Sequence, residues 1–132
     1  MPQYFVLLKI NDRTRVMRLA DIREVVSFMA LTPIEGLHGG TCRGIANLRG
    51  EMLPVFDLAG PHAPLAPSRV IVVVRHGNEH IGLLVDDVTD VLNVPDEHVS
   101  IRNVGGGRTS TMVRVNDVIM TILEPNDAIG ST

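Results

Sequence analysis

The chain has 132 residues, 45% hydrophobic and 20% charged, with a formal net charge of −3, which fits one compact globular unit and excludes a disordered tail. One lysine (Lys9), singly spread arginines and 3% aromatic residues exclude the basic stripe and stacking platforms of nucleic-acid readers. One cysteine, Cys42, excludes an intramolecular disulfide framework, and apolar runs such as Val70 to Val74 fall far short of the ~20 residues of a membrane span. The start, Met1-Pro2-Gln3, has no basic stretch ahead of its apolar run, so the expectation is a soluble cytoplasmic protein with no direct membrane contact.

Short Val- and Ile-rich segments punctuated by Gly, Asn, Asp and Pro predict strands. Tyr4 to Ile10 turns at Asn11-Asp12-Arg13-Thr14 into Arg15 to Leu19. Ala20 to Val26 follows with a helical layout, in which Asp21 accepts from first-turn amides and Glu24 reaches back. Ile45 to Leu48 runs through Arg49-Gly50-Glu51 into Met52 to Leu58, and Pro54 predicts an edge or a bulge. Ala59 to Ser68, with three prolines, reads as a stiff connection. Arg69 to Val74 turns at His76-Gly77-Asn78-Glu79 into His80 to Val85, and Asp86 to Val91 repeats the short helical layout. Arg102 to Thr111, with Gly105-Gly106-Gly107, reads as an irregular loop. Met112 to Val115 turns at Asn116-Asp117 into Val118 to Leu123, and Pro125 opens a last short helix.

The two helical stretches expose an internal repeat. Asp21-Ile22-Arg23-Glu24-Val25 and Asp87-Val88-Thr89-Asp90-Val91 share one pattern 66 positions apart, and each follows a hairpin. The expectation is a mostly β protein: a single domain over residues 1–132, made of two pseudo-equivalent β barrels packed through aliphatic side chains and joined near residues 59–68.

Candidate chemistry is thin. The glycine-rich run before Arg108 lacks the Gly-Lys-Ser/Thr and the strand-loop-helix frame of a phosphate cradle. Asp86 and Asp87 are adjacent and point to different faces, which suits a cap and a solvated acid better than a catalytic pair. His38 with Cys42, and His76 with His80, stand four apart but lie at turns without a further ligand at a recognised zinc spacing. Cys42 fits a small apolar filler. No catalytic, cofactor or metal site is expected. On residues alone, Arg49 reads either as a solvated arginine on a hairpin or as a recognition residue.

The segment Arg43-Gly44-Ile45-Ala46-Asn47-Leu48-Arg49-Gly50-Glu51-Met52-Leu53-Pro54-Val55-Phe56-Asp57-Leu58 resembles the signature of CheW-like domains, coupling proteins of bacterial chemosensory arrays. Tyr4 to Leu7, Asp21 to Val25, Thr32-Pro33-Ile34 and Ile81 to Leu92 resemble further family blocks in family order. The resemblance implies two five-stranded SH3-like barrels on a shared hydrophobic core, with short helices and no catalysis. It implies two partners, the signalling tip of methyl-accepting chemoreceptors and the regulatory domain of a chemotaxis histidine kinase, and allows self-association into rings. Carried over by position, the receptor-facing groove involves Ile22, Glu24, Gly44, Arg49, Val70 and Val91, with Glu24 pairing to Arg49. Two readings follow: an adaptor coupling receptor to kinase, recruited to membrane-associated arrays, or an accessory module that binds the kinase in a non-swimming pathway, such as a type IV pilus chemosensory system.

Overall fold

The computed structural model describes residues 3–34 and 41–129. Eleven strands carry it: β1 (Gln3–Ile10), β2 (Arg13–Arg18), β3 (Ile22–Ser27), β4 (Cys42–Leu48), β5 (Glu51–Asp57), β6 (Val70–His76), β7 (Glu79–Val85), β8 (Asp87–Val94), β9 (Val99–Gly105), β10 (Arg108–Val115) and β11 (Val118–Thr121). One short helix, α1 (Pro125–Ile129), closes the described chain where Pro125 predicted it. The strands form a five-stranded sheet in the order β3-β6-β7-β5-β4 and two three-stranded sheets, β2-β1-β8 and β11-β10-β9.

Both helical expectations are overturned. Only Leu19–Asp21 turns, as a single 3-10 turn, and the residues after it are β3; Asp87–Val94 is β8 throughout. The acidic residues that suggested caps do not outweigh the β-branched ones: Ile22, Val25 and Val26 lie opposite Val74, Val72 and Ile71, and Val88 and Val91 lie opposite Leu8 and Val6. The glycine-rich stretch is likewise no irregular loop. β9 and β10 pair from Gly105–Arg108 to Val99–Val113, and Gly106 and Gly107 take the positive φ of the turn between them. Pro54 sits on an interior strand rather than an edge, but just before the β5–β7 ladder begins at Val55, so it breaks no bond of that ladder.

The two stretches of the repeat exchange strands between the hairpins they follow. β3 follows the first hairpin and pairs with β6 of the second; β8 follows the second hairpin and pairs with β1 of the first. β5 lies parallel to β7, and Ile122 makes a parallel bridge to Val16 of β2. Strands on both sides of the proline-rich segment therefore belong to the five-stranded sheet.

Three apolar layers result. Ala46, Leu48, Leu53, Val55, Ile71, Val73 and Leu84 fill the inside of the five-stranded sheet. Val72, Val74, Ile81, Leu83 and Val85, on its other face, pack against Val6, Leu8, Ile10 and Met17 of β1 and β2. Phe5, Val16, Val94, Val113 and Ile122 make a third layer between β1–β2 and the last strands. β6 and β7 are buried on both faces, which is why their sequences run apolar without alternating. The five-stranded sheet curls until its ends meet at one bridge, Thr32 to Ile45, with two backbone hydrogen bonds of 2.8 Å. Strand pairing among the described residues otherwise leaves it open.

A buried ion cluster ties the connecting segment down. Asp57, fully buried, accepts from Arg69 Nη2 at 2.6 Å and Nη1 at 3.0 Å, from Arg43 Nη1 at 2.7 Å, and from the Ala59 amide at 2.9 Å. Arg43 Nη1 also donates to the carbonyls of Gly60 and Ala63, and Arg69 Nη1 to that of Pro64. Arg69 Nε lies 3.2 Å from Asp86 Oδ1 but off the hydrogen-bonding axis, so that contact is coulombic. Replacing Asp57 with Ala takes from the 4%-exposed Arg69 both of its hydrogen bonds to a carboxylate and leaves, as its only carboxylate contact, the off-axis one with Asp86. Asp57→Ala is expected to cost about 3–5 kcal/mol in urea unfolding, against under about 1 kcal/mol for Asp90→Ala on exposed β8; equal losses would exclude the cluster as a structural clamp.

Candidate functional site

The hairpin turn between β4 and β5 places Arg49 at its tip. Arg49 and Gly50 both have positive φ, 51° and 91°, the conformation a tight two-residue turn between twisted strands requires. The Asn47 side chain braces the turn, its Oδ1 accepting from the Gly50 amide at 2.8 Å. A left-handed non-glycine residue costs about 1–2 kcal/mol, and here it turns the arginine towards β3, at the opposite edge of the five-stranded sheet.

There it meets Glu24. Arg49 Nη2 donates to Oε1 at 2.8 Å and Oε2 at 2.6 Å of the same carboxylate. The pairing drawn from the resemblance is therefore present, but one nitrogen spans both oxygens instead of two nitrogens forming a fork. Among the described residues, Nη1 and Nε of Arg49 have no partner, and the side chain is 66% exposed. The hydrogen bond from Arg49 holds the Glu24 carboxyl below the usual carboxylate range against its partial desolvation, and the same bond raises the Arg49 guanidinium.

Arg23 extends the pair. β3 is bulged between Ile22 and Glu24, so Arg23 is the extra residue, and Arg23 and Glu24 reach each other although they are adjacent in the chain. Arg23 Nε donates to Glu24 Oε2 at 3.1 Å and Nη1 to Glu51 Oε1 at 2.9 Å. His80 Nδ1, on β7, lies 3.2 Å from Glu51 Oε2 and 3.0 Å from Arg23 Nη1. The hydrogen bond from Arg23 lowers the Glu51 carboxyl, with His80 adding to it. Charges thus alternate from Arg49 through Glu24 and Arg23 to Glu51 and His80. Sequence reading missed Arg23, Glu51 and His80, because the bulge that aligns them leaves no mark in the residue order.

The other expected positions separate. Gly44 is buried in β4 with φ of 135°, and an added Cβ would stand 2.6 Å from the Thr32 carbonyl oxygen, so its smallness permits the Thr32–Ile45 bridge. Ile22 and Val70 are half-buried against the layer shared with β1 and β2. Val91 is 52% exposed on β8, opposite Val6 in a different sheet from Glu24 and Arg49. The structure therefore brings Glu24 and Arg49 into contact, seats Gly44 on the strand leading to them, and puts Val91 apart.

The acidic and histidine pairs find other roles. Asp86 Oδ2 accepts from the Asn11 amide at 2.8 Å, whereas Asp87 Oδ1 accepts from the Val88 amide. His38 lies outside the described residues; Cys42 is half-buried with its Sγ 3.9 Å from the Gly44 carbonyl. Among the described residues no three His, Cys, Asp or Glu side chains are grouped as metal ligands, and no helix is long and apolar enough to cross a membrane.

Residues 4–132 match the CheW-like domain. The chain belongs to this family. It is 34% identical over 98 residues to the probable chemotaxis protein CheW of Rhizobium etli, covering 70% of this chain and 61% of that protein. It is 31% identical over 91 residues to protein PilI of Pseudomonas aeruginosa, covering 66% and 51%. The matched region thus spans between half and two-thirds of these relatives. The crystal structure of scaffolding protein TtCheW from Thermoanaerobacter tengcongensis superposes with a TM-score of 0.77 at 22% identity, covering 95% of this chain and 86% of that one, which establishes the shared fold. CheW has two SH3-like subdomains, and the five-stranded sheet and the pair of three-stranded sheets match that fold. Here the second comprises six strands in two small sheets instead of one five-stranded set.

The strain at Arg49 gives a test that separates stability from recognition. Arg49→Gly relieves the left-handed penalty and loses an exposed ion pair of little net worth, so its unfolding free energy should equal or exceed that of the parent. Arg49→Ala keeps the strain and should fall about 1 kcal/mol below Arg49→Gly. An Arg49→Gly protein much less stable than the parent would show that the arginine is held for folding.

Proposed function

We propose that the chain is a non-enzymatic chemosensory adaptor that couples methyl-accepting chemoreceptors to a chemotaxis histidine kinase. The observation that carries this reading is Arg49: strained, exposed, and fastened by one nitrogen to Glu24, with its other donors unpartnered among the described residues. A guanidinium fixed on one side and open on the other is suited to recognising a carboxylate or backbone carbonyl on a partner helix. Family membership and relatives named as chemotaxis and scaffolding proteins supply the chemosensory context. The receptor signalling tip is assigned to the Glu24–Arg49 face, with Gly44 setting the strand beneath it. Exposed Val25, next to Glu24 on β3, supplies apolar contact, while Ile22 and Val70 support that strand from the core. The kinase regulatory domain is the second partner, and the working location is the cytoplasm beneath the receptor arrays.

A second reading, an accessory kinase-binding module in a pathway other than swimming, draws support from the 31% identity to protein PilI. Calorimetry with a purified receptor signalling-tip fragment and with the kinase regulatory domain distinguishes the two. The adaptor binds both, and Arg49→Ala weakens only the receptor, by about ten- to a hundredfold, the worth of a hydrogen bond to a charged group. Kinase binding without receptor binding selects the accessory module; binding to neither removes both.

A further inference from the structure

His80 stands between two groups whose demands conflict. Arg23 Nη1, 3.0 Å from His80 Nδ1, can only donate; Glu51 Oε2, 3.2 Å from the same nitrogen, can only accept when ionised. Nδ1 therefore satisfies one neighbour at a time. With its lone pair free, it accepts from Arg23, and Arg23 Nη1 is held between Glu51 and His80. With protons on both ring nitrogens, Nδ1 donates to Glu51 and the ring faces the arginine's N–H with like charge.

From this geometry we propose that His80 is a positioning residue for Arg49: protonation of the imidazole loosens the grip of Glu24 on Arg49 and weakens receptor binding. The proposal rests on the reading of Arg49 as the receptor-facing residue. Arg23 is the link. It already shares Glu24 Oε2 with Arg49, at 3.1 Å against 2.6 Å. When His80 is charged, Glu51 is drawn to the imidazolium and Arg23 loses an acceptor at Nδ1. Arg23 keeps Glu51 Oε1, now shared with the imidazolium, and is drawn more strongly to Glu24, where it competes with Arg49. The cluster of Arg49, Glu24, Arg23 and Glu51 is neutral while His80 is neutral and carries one net positive charge when it is not. Arg49, the most exposed member, is the one released.

The remaining charges around His80 do not substitute for this coupling. Arg75 on β6 lies directly opposite His80 in the strand register, but its guanidinium donates to the Ala20 carbonyl at 2.8 Å. Glu79 precedes His80 on β7 and is exposed at the turn, and His76 faces Glu79 across the hairpin. β3 contributes Arg23 and Glu24, and β5 contributes Glu51. Imidazoles change charge between about pH 5 and 8, where both carboxylates, held low by their arginines, stay ionised.

The first measurement needs no partner: NMR of the Arg49 Nε–H and the Glu24 side-chain carboxyl carbon in the full chain, from pH 8 to 5. In the parent both are expected to step together with the His80 ring signals. In His80→Asn, whose amide oxygen can accept from Arg23 without titrating, the step should vanish, and in Glu51→Gln it should shrink. Arg49 signals that ignore the ring, or that step equally in His80→Asn, overturn the proposal. The second measurement is affinity for the receptor signalling-tip fragment at about pH 7.5 and about pH 5.8, bracketing imidazole titration. The parent should lose about threefold to tenfold in the acid, less than the worth of one charge-assisted hydrogen bond, and His80→Asn should not. An equal loss in both proteins places the pH effect in the partner and overturns the proposal. No binding by the parent at either pH removes the receptor reading instead, and the NMR step still decides whether His80 governs Arg49.

Discussion

Asp57 carries the constraint on which the arrangement of this chain depends. Its carboxylate, fully buried, is the common acceptor of two arginines that arrive from different places: Arg43 near the start of β4 and Arg69 just before β6. A single buried charge would be prohibitively costly, and even a pair is worth little unless every lone pair is used. Here the carboxylate also takes the Ala59 amide, and the surplus donors of both arginines go to carbonyls of the following segment. The cluster therefore converts a proline-rich stretch without strands into a fixed strap. It reaches further through Asp86, which stands against Arg69 and accepts from the amide at the β1–β2 turn. One set of charges thus ties the five-stranded sheet to the first hairpin, alongside the aliphatic layer between them.

That layer explains why the two copies of the repeat exchange strands. β6 and β7 present apolar side chains on both faces, so they cannot serve as the outer wall of a self-contained half. One face closes over Ile71, Val73 and Leu84; the other needs β1 and β2. Gly82 sharpens the fit on the inner face, where a Cβ would stand 2.8 Å from Ile71 Cγ2 and close to Leu53 and Val55. With β3 given to the second hairpin and β8 to the first, each hairpin gains a neighbour and both apolar faces are covered. The association is then covalently interlaced, so neither set of strands can separate without unpairing a strand it borrowed.

Hairpins were legible in the residues because turns leave local chemistry: Asn11-Asp12 and Asn116-Asp117 take positive φ at all four positions, as the primed turns demand. The repeat was legible as a spacing. Strands β3 and β8 were not, since Asp21 and Asp87 imitate helix caps and only a partner strand 40 or more residues distant reveals the error. β9 was hidden by polar residues and glycines, because its hairpin stands largely in solvent and carries no burial pattern to read. The same limit applies to the site. Arg49 announced itself through a turn and a family signature, and Glu24 followed from the resemblance. Arg23, Glu51 and His80 depend on a bulge and on three strands meeting, which no local pattern encodes.

The strain at Arg49 and the charges behind it belong to one design. Gly at position 49 would make the turn without strain, and Asn would make it cheaply, as the chain does at Asn11 and Asn116. An arginine there costs stability and gains direction: the positive φ aims its side chain at Glu24, across the side of the curled sheet where the Thr32–Ile45 bridge joins the edges. Such a cost persists only where surrounding groups over-determine the conformation. The Asn47 brace fixes the turn, Gly44 lets β4 approach Thr32, and Arg23 steadies Glu24 from behind. Because Glu24 holds Arg49 through one nitrogen alone, the remaining donors need not break a bond before meeting a partner. A residue held firmly yet only partly satisfied has lost its conformational entropy before binding while keeping its hydrogen-bonding capacity, and that combination favours recognition over stability.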